Sequence, residues 1–308
     1  MIGRKVAVIS GGFSEEQEPS RESGKCVADV LRKLGHTVYV IEYDNSIISS
    51  IEDISPDIIF PLVQGKHHGD GTVQALLECL KIPYIGSRPY SAAIINHKTE
   101  CKKIWRGRGI LTPDYFEYSF DEYANDSFKD FADKVKANEM LLPVVVKPPT
   151  QGNRYGMVFV KDKESFEDIR NSFAYDDVLL VEAFVEGRFF TQGILEIEGV
   201  ITALPLVEVL DCSNDEFKTF PGGSSVRTHD LTPEQADETT CITLIAAALT
   251  GATGFARLDY HLSGGKFYLL EINAVPGLVP GYSSMCECAA AAGYNYTDFI
   301  ATLLKTAK

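Results

Sequence analysis

The sequence predicts an α/β protein, and its N-terminal part gives the first evidence. Residues 5–10 form a short β-branched run of the kind found in buried parallel strands, and Gly11-Gly12 follows directly. Ser20 is suited to cap a helix that continues to Leu34 and ends at Gly35. This order is that of a doubly wound half-domain, whose ligands bind at the carboxyl ends of the strands. Its next strands are predicted at residues 37–42 and 57–63.

Later segments continue the alternation of helices and strands. Residues 121–139 form a polar helix with alternating charges on a solvated face. An apolar strand from residue 142 ends in Lys147, and residues 201–209 form another strand. A helix begins at Thr232-Pro233, because proline suits the first helical position. The last helix presents an apolar face made by Phe299, Ile300 and Leu303.

Length and composition limit the classes of protein to consider. The 308 residues suggest two or three domains. A net charge of −14 argues against nonspecific nucleic-acid binding, although a local cluster of lysines and arginines can still hold phosphate. We expect no membrane-spanning helix, since no apolar stretch of about 20 residues exists, and the N-terminus lacks the shape of a signal peptide. Seven scattered cysteines fit free thiols in a reducing cytoplasm.

A predicted hairpin holds the strongest functional signal. Residues 254–260 and 267–273 are both rich in aromatic and aliphatic side chains, with Ser263-Gly264-Gly265 between them. Side chains two apart on a strand share a face. A two-residue turn would place Asp259 and Glu271 on opposite faces of the hairpin. A three-residue loop with a glycine bulge would place both, with Arg257 and Asn273, on one face.

On one face, two carboxylates and an amide oxygen would converge beside an arginine. Such hard oxygen ligands suit Mg²⁺ that also holds phosphate oxygens. The alternative is a solvated hairpin face with a chance charge pair. Polar groups on such apolar strands are unfavourable unless they are satisfied, and the spacing alone leaves both interpretations open.

The segment after the hairpin adds a resemblance to a known family. Pro276-Gly277, separated from Asn273 by two residues, resembles the ATP-grasp ligases, and the D-alanine–D-alanine ligases most closely. The resemblance covers the whole chain, from Gly11-Gly12 to the final helix. It implies a three-domain ATP-grasp fold, with an N-terminal doubly wound domain and two α+β domains that hold ATP between them. The implied bounds are 1–93, 94–182 and 183–308.

The resemblance also implies a set of site residues for ATP with Mg²⁺ or Mn²⁺. Asp259, Glu271 and Asn273 would hold the metal, while Arg257 and the Gly277 N–H would stabilise charge on the reacting acyl group. Glu18 would hold the ammonium of the first amino acid. The residues implied for ATP come from several segments: Lys98, Lys147, Gly152, Asn153, Glu182, Ala183, Val185, Lys218 and Leu270.

Several positions depart from the family pattern. Gln64 and Gly69 stand where the family usually has a histidine and a glutamate, both near the amino-acid pocket. Phe189 replaces a glutamate on the ribose hydroxyls, and Glu186 is a candidate replacement. In the loop after Lys147, which the family folds over the ATP phosphates, Asn153 or Arg154 replaces a serine. After the Pro-Gly turn, Tyr282 replaces another serine.

The implied chemistry is ligation in two steps, in which a carboxylate first forms an acyl phosphate with ATP and an amine then attacks it. One hypothesis is a D-alanine–D-alanine ligase of peptidoglycan precursor synthesis. A second is a related ligase for other amino acids in specialised metabolism, and a third is a non-catalytic nucleotide-binding homologue. In each case we expect a cytoplasmic protein whose partners are small molecules. Homodimers are usual in the family, and neither nucleic acid nor membrane is expected as a partner.

Overall fold

The computed structural model describes residues 3–65, 67, 69–210, 225–227 (backbone alone) and 230–308. In this part of the chain the strands form three separate sheets. Among the helices described, none is both long and apolar enough to cross a membrane.

The first sheet is parallel and lies at the N-terminus. It consists of β1 (Lys5–Ser10), β2 (Thr37–Glu42) and β3 (Ile58–Pro61), in the spatial order β2-β1-β3. Strand β1 is central and buried, which explains its unbroken run of apolar residues. The helices of this part are α1 (Gln17–Lys33), α2 (Ile47–Ile54) and α3 (Thr72–Leu80).

Helix α1 begins earlier than the sequence predicted, and Ser20 is not its cap. The Ser20 hydroxyl accepts a hydrogen bond from the Gly11 N–H at 2.9 Å and donates one to the Leu62 carbonyl at 2.7 Å. Pro19 lies in the first turn, where its missing N–H breaks no bond within the helix. The buried hydroxyl therefore ties the helix to the loops after β1 and β3.

The second sheet is antiparallel and lies in the middle of the chain. It consists of β4 (Tyr115–Ser119), β5 (Val144–Lys147), β6 (Val158–Val160) and β7 (Val178–Ala183), in the order β4-β7-β5-β6. Tyr118, Phe131 and Phe166 are the largest side chains of its core. The helices that follow these strands are α6 (Phe120–Asn125), α7 (Phe128–Ala137), α8 (Lys163–Glu167) and α9 (Ile169–Ser172).

The third sheet is the largest and contains the predicted hairpin. Its strands are β8 (Arg188–Ile197), β9 (Val200–Ala203), β10 (Val207–Leu210), β11 (Ser225–Arg227), β12 (Phe255–Ser263) and β13 (Lys266–Asn273). The order is β11-β10-β8-β12-β13, and β9 also pairs with β8. The remaining helices are α4 (Pro89–Asn96), α5 (Lys98–Arg106), α10 (Pro233–Thr250), α11 (Ser284–Ala291) and α12 (Tyr296–Lys305).

Two predicted elements are each divided in the structure. The helix predicted over 121–139 is broken before Ser127, whose hydroxyl accepts from the Asp130 N–H and so starts α7. The strand predicted over 201–209 is broken near Pro205, which has no N–H to give to a sheet. In both cases a single residue with a strong local preference interrupts a continuous pattern.

Packing between distant segments sets the position of the cleft. Helix α5 precedes the second sheet in sequence, yet its Cys101 and Trp105 share a buried core with Leu269 of β13. Helix α12 packs against α1, and Phe299 shares a core with Val8 of β1. As a result, the N-terminal loops, α5 and the ends of the second and third sheets face one another.

Candidate active site

Of the two turns that the sequence left open, the hairpin of β12 and β13 closes with the two-residue turn and not with the three-residue loop. Ser263 pairs with Lys266, so Gly264 and Gly265 alone form the turn. Both glycines have positive φ, 55° and 77°, as the type I′ hairpin turn requires. Without further adjustment this register would place Asp259 and Glu271 on opposite faces.

A β-bulge corrects the register. Tyr260 pairs with Leu269, whereas Asp259 pairs with Glu271, so Leu270 is an extra residue in β13. The bulge returns Glu271 to the side of Asp259, and Arg257 pairs with Asn273 on that side. The predicted convergence therefore occurs, although through a bulge within the strand rather than through the loop.

Asp259 lies at the centre of this convergence and is buried, with 2% of its surface exposed. Arg257 donates to both carboxylate oxygens, at 2.9 and 2.7 Å. Thr191 donates to one oxygen at 2.6 Å, and Asn273 donates to the other at 3.2 Å. Burial works against the charged guanidinium, but Asp259 outweighs it and holds the pKa of Arg257 above its usual value.

Glu271 faces the lysine that the sequence singled out at the start of α5. Lys98 Nζ lies 3.3 Å from a Glu271 carboxylate oxygen and donates to the Gln151 carbonyl at 2.5 Å. Burial raises the pKa of Glu271, but the cations Lys98, Lys147 and Arg257 outweigh it and hold this pKa below its usual value. Glu271 is therefore ionised at neutral pH.

The donor set on this face fits a magnesium ion that is also bound by phosphate. Mg²⁺ usually takes one or two carboxylates from the protein and its other ligands from water and phosphate. The described residues gather no group of three or more histidine, cysteine, aspartate or glutamate ligands. The set on this face consists of two carboxylates and one amide. Asn273 uses its amide nitrogen on Asp259, so its amide oxygen points elsewhere.

Glu182 lies between two lysines at the end of β7. Lys147 donates to one carboxylate oxygen at 2.9 Å, and Lys102 Nζ lies 2.5 Å from the other. Burial opposes the charge on Glu182, but the two ammonium groups outweigh it and lower the pKa to about 2. Lys102 was not among the site residues predicted from the sequence. Its position four residues after Lys98 on one helix was the available signal, since such residues share a face.

The segment after β7 forms one wall of the cleft. The Ala183 N–H donates to the Asp114 carbonyl at 2.8 Å, and His261 Nδ1 lies 2.7 Å from the Val185 carbonyl. Phe184 is 38% exposed and packs edge-on against Phe159, with ring centroids 5.0 Å apart. The wall is therefore aromatic, with backbone groups at its edge. Leu270, the extra residue of the bulge, is partly buried on the neighbouring sheet.

Phe189, where an acid was expected, also packs on His261. The two rings are perpendicular, with centroids 5.5 Å apart. Burial lowers the pKa of His261, so its ring is neutral at pH 7. An apolar contact thus stands at the position where the resemblance implied a carboxylate.

The loop of residues 149–157, here called the phosphate loop, lies against the N-terminal segment. Asn153 donates to a Glu16 carboxylate oxygen at 2.6 Å, and Tyr155 donates to the Glu15 carbonyl at 3.3 Å. A Cβ atom at Gly152 would lie 2.8 Å from Glu16 Oε1, so a larger residue here would displace the end of the Glu16 side chain. Glu16 therefore forms part of the floor beneath the loop.

Glu16, rather than the predicted Glu18, faces the cleft. The Glu18 side chain is 77% exposed and pairs with Arg21 on the outer face of α1. Burial raises the pKa of Glu16 to about 7, and the nearby Glu271 adds to this while Lys98 and Arg257 oppose it. The prediction for Glu18 is corrected because Gln17 begins the helix, which turns residue 18 outward.

The turn that contains Gly277 is held by groups of the N-terminal part. Gln64 donates its amide to the Val275 carbonyl at 2.8 Å, and the Leu278 N–H donates to the Ser23 hydroxyl at 3.1 Å. A Cβ atom at residue 277 would lie 2.9 Å from the Ser283 hydroxyl. This turn is thus fixed on both sides of Gly277.

The last two sequence-predicted residues are Tyr282 and Lys218. Tyr282 is 52% exposed, whereas the neighbouring Ser283 is buried and accepts from the Val279 N–H at 3.0 Å. The prediction for Lys218 lies outside the described residues.

Comparison with known proteins agrees with this geometry. A family model described as "D-ala D-ala ligase C-terminus" matches residues 104–305, more than half of the chain. A D-alanine–D-alanine ligase of Moorella thermoacetica is 34% identical, over 98% of this chain and 99% of its own length. The chain belongs to the D-alanine–D-alanine ligase family.

Other members of the D-alanine–D-alanine ligase family support the same assignment. The ligase of Aquifex aeolicus is 34% identical, over 97% of this chain and 99% of its own length. A Bacillus anthracis D-alanine–D-alanine ligase, solved in complex with ATP, superposes with a TM-score of 0.82 at 27% identity, covering 99% of this chain and 97% of that one. The ATP-grasp fold predicted from the sequence is therefore confirmed for this family member.

Proposed function

We propose that this protein is an ATP-dependent ligase that joins two amino acids through an acyl phosphate, as a D-alanine–D-alanine ligase does. The observation that carries the proposal is the single face on which Asp259, Glu271 and Asn273 meet beside Arg257. Buried acids on apolar strands are unfavourable unless they are paired, hydrogen-bonded or bound to a cation. Full-length relatives named D-alanine–D-alanine ligase give the reaction class.

Each side chain of this face has a proposed role. Asp259, Glu271 and the amide oxygen of Asn273 would hold Mg²⁺, which neutralises and bridges phosphate oxygens when bound. Arg257 and the Gly277 N–H would stabilise negative charge on the acyl oxygen as the amine attacks. The close approach at Gly277 and the anchored turn support this placement.

The nucleotide would lie between the second and third sheets. Lys98 and Lys147 would neutralise the phosphates, and the backbone of the phosphate loop at Gly152 and Asn153 would cover them. We propose the Ala183 carbonyl and the Val185 N–H for the base edge, because the opposite groups of these residues have partners in the protein. Glu182 would fix Lys147, and Leu270 would be an apolar wall. Lys218 remains a proposal from the resemblance.

Glu16 is our choice for the ammonium of the first amino acid. It combines a carboxylate with a position beside the phosphate loop and near Arg257. When the substrate ammonium binds, it would favour the ionised form of this carboxylate.

A second candidate is a ligase of the same reaction class with other amino-acid substrates. A Cβ atom at Gly69 would lie 2.8 Å from the Val63 carbonyl oxygen, so the family's glutamate does not fit this backbone. Gln64 is engaged by Val275, and Asn153 takes the place of a serine. These departures lie at amino-acid-facing positions and leave the proposed metal face intact, which also argues against a non-catalytic homologue.

The domain bounds, the oligomeric state and the cellular location are also proposals. We keep the division into 1–93, 94–182 and 183–308, with the qualification that α5 packs on the third sheet. We propose a homodimer and a cytoplasmic location from the resemblance alone, and sedimentation of the purified protein would test the dimer.

The test is phosphate release from MgATP with a panel of single and paired D- and L-amino acids. Turnover with D-alanine alone would support the first candidate, and turnover only with another amino acid would support the second. The variant Asp259→Ala/Glu271→Ala is the blank. If no amino acid of the panel gives phosphate release, and MgATP does not change the melting temperature, the proposal is contradicted.

A further inference from the structure

Lys102 is a buried lysine on the far side of Glu182 from Lys147, which is one of the two lysines proposed for the nucleotide phosphates. Lys102 is fully buried, with 0% of its surface exposed. Its ammonium lies 2.5 Å from Glu182 Oε2, donates to the Thr112 hydroxyl, and stands 5.6 Å from the centre of the Tyr115 ring. A buried ammonium is costly to desolvate, so such a residue requires an explanation.

Contacts arrange three charged groups in a row from the cleft inward. The Lys147 side chain is 14% exposed and stands at the cleft, whereas those of Glu182 and Lys102 are 5% and 0% exposed. Each oxygen of Glu182 faces one lysine, at 2.9 Å for Lys147 and 2.5 Å for Lys102. Glu182 is therefore held from both sides.

The charges of this row have a consequence for an anionic ligand. Lys147 and Glu182 alone would cancel, because each bears one charge of opposite sign. Lys102 adds a second positive charge, and the row is left with one net positive charge. Charges away from water are screened weakly, so this balance is felt at the cleft surface.

We propose that Lys102 is a positioning residue of the nucleotide site. By holding Glu182 it directs Lys147 toward the cleft and leaves the row with one net positive charge for a polyphosphate. This inference rests on the nucleotide site proposed above and extends it to a residue that cannot touch the ligand itself.

The experiment measures MgADP binding by calorimetry and thermal unfolding in parallel. Lys102→Met keeps the length of the side chain and removes its charge. Lys103→Met is the matched control, since Lys103 is the next residue on the helix, is 45% exposed, and pairs with Glu100 and Glu117 outside the cleft. We expect Lys102→Met to weaken MgADP binding roughly 10- to 100-fold, the range for a hydrogen bond to a charged group. Lys103→Met should change it less than about twofold.

A double variant separates positioning from simple stabilisation. Lys102→Met/Glu182→Gln removes both buried charges and restores the net positive charge of the row through Lys147. We expect it to recover most of the lost affinity. Unchanged affinity in folded Lys102→Met, or a double variant that binds as weakly as the single one, would overturn the proposal.

The pH dependence of MgADP binding, compared between the wild type and the double variant, supplies a second measurement that does not need the single variant to fold. Burial lowers the pKa of Lys102 to about 8, so its charge is lost as pH rises through that value. We expect MgADP affinity to fall between pH 7 and 9 in the wild type and to stay level in the double variant. Equal pH dependence in the two proteins would contradict the proposal. The charged and titratable groups that face Lys102 are Glu182 from β7, Lys147 from β5, Tyr115 from β4 and Arg106 from α5 itself.

The two proposals fail in different ways. If the wild type binds no MgADP, the nucleotide site and the inference fall together. If the wild type binds MgADP and Lys102→Met binds it equally well, the inference alone is wrong. Nucleotide binding without turnover of amino acids contradicts the proposed reaction and leaves the role of Lys102 supported by the binding data.

Discussion

Asp259 accepts hydrogen bonds from Arg257, Thr191 and Asn273, and the first of these binds both carboxylate oxygens. A buried carboxylate with this many donors is held in one orientation. The arrangement places the remaining lone pairs of Asp259 in a fixed direction relative to Glu271. At the scale of single residues, the site is a set of charges fixed by their neighbours.

Glu16 and Glu18 form a natural pair for testing the position of the substrate ammonium. Both are glutamates of one short segment, but only Glu16 contacts the phosphate loop. We expect Glu16→Gln to raise the KM for the first amino acid by roughly 10-fold or more, since a charge-assisted hydrogen bond is lost. Glu18→Gln should change it less than about twofold. Steady-state kinetics will decide, and the reverse order would restore the original prediction for Glu18.

Glu16 also predicts a pH dependence of stability in the free protein. Its pKa is raised to about 7 by burial, so the folded state keeps a proton that the unfolded state releases at lower pH. The stabilisation of the folded state by this proton is complete below the pKa of Glu16 in the unfolded chain, and it is lost as pH rises through about 7. The melting temperature of Glu16→Gln should therefore rise relative to that of the wild type as pH increases from 5 to 8. A constant difference over this range would refute the assignment, and Glu18→Gln is the control.

The β12–β13 hairpin shows how one element carries the proposed metal face. Its turn and its bulge have to act together, since the two-residue turn alone would separate Asp259 from Glu271. The extra residue Leu270 shifts the following side chains by one position and so returns them to the correct face. The proposed metal site thus depends on backbone geometry as much as on acidic residues.

The turn itself can be tested with two substitutions. Asparagine tolerates positive φ at the first position of a type I′ turn, so Gly264→Asn should change the free energy of unfolding by less than about 0.5 kcal/mol. Gly265→Val should destabilise by about 1–3 kcal/mol, because a β-branched residue is strained at the φ of 77° found there. Denaturant titration of both variants provides the measurement. Equal effects would indicate a longer loop.

At the scale of the molecule, the candidate site is shared by all three sheets. The N-terminal segment supplies Glu16, the loop between β5 and β6 supplies Asn153, and the third sheet supplies Asp259. A ligand that contacts several parts of a chain stabilises their common arrangement.

This sharing predicts a thermal response to nucleotide. MgATP at about 100 times its Kd should add about 2.7 kcal/mol to the free energy of unfolding, which raises the melting temperature by several degrees. The variant Asp259→Ala/Glu271→Ala should lose most of this shift. Thermal unfolding with MgATP, and with ATP plus a chelator, is the measurement. A shift of equal size in the double variant would place nucleotide binding elsewhere.

The sequence by itself determined the class of fold and most of the chemistry. Strand alternation, the glycine positions and the acids of the hairpin are local patterns, and each is written in neighbouring residues. The resemblance to ATP-grasp ligases then followed from the order of these patterns. Lys98, Lys147, Glu182 and the acids of the metal face are brought together as these patterns suggested.

Tertiary structure alone decided the bulge at Leu270, the position of Glu16 rather than Glu18 beside the phosphate loop, and the burial of Lys102. A hairpin register depends on the pairing of a whole strand, and a bulge leaves no fixed mark in sequence. The direction of an acidic side chain in the loop depends on where the next helix begins. The sequence suggested a cap at Ser20, but the Ser20 hydroxyl bonds to distant loops and the helix begins earlier. The burial of Lys102 depends on β7 and β5, which are distant in sequence. These features arise from contacts between remote segments. The four-residue spacing of Lys98 and Lys102 indicated only that the two share a helix face, and not that Lys102 is buried.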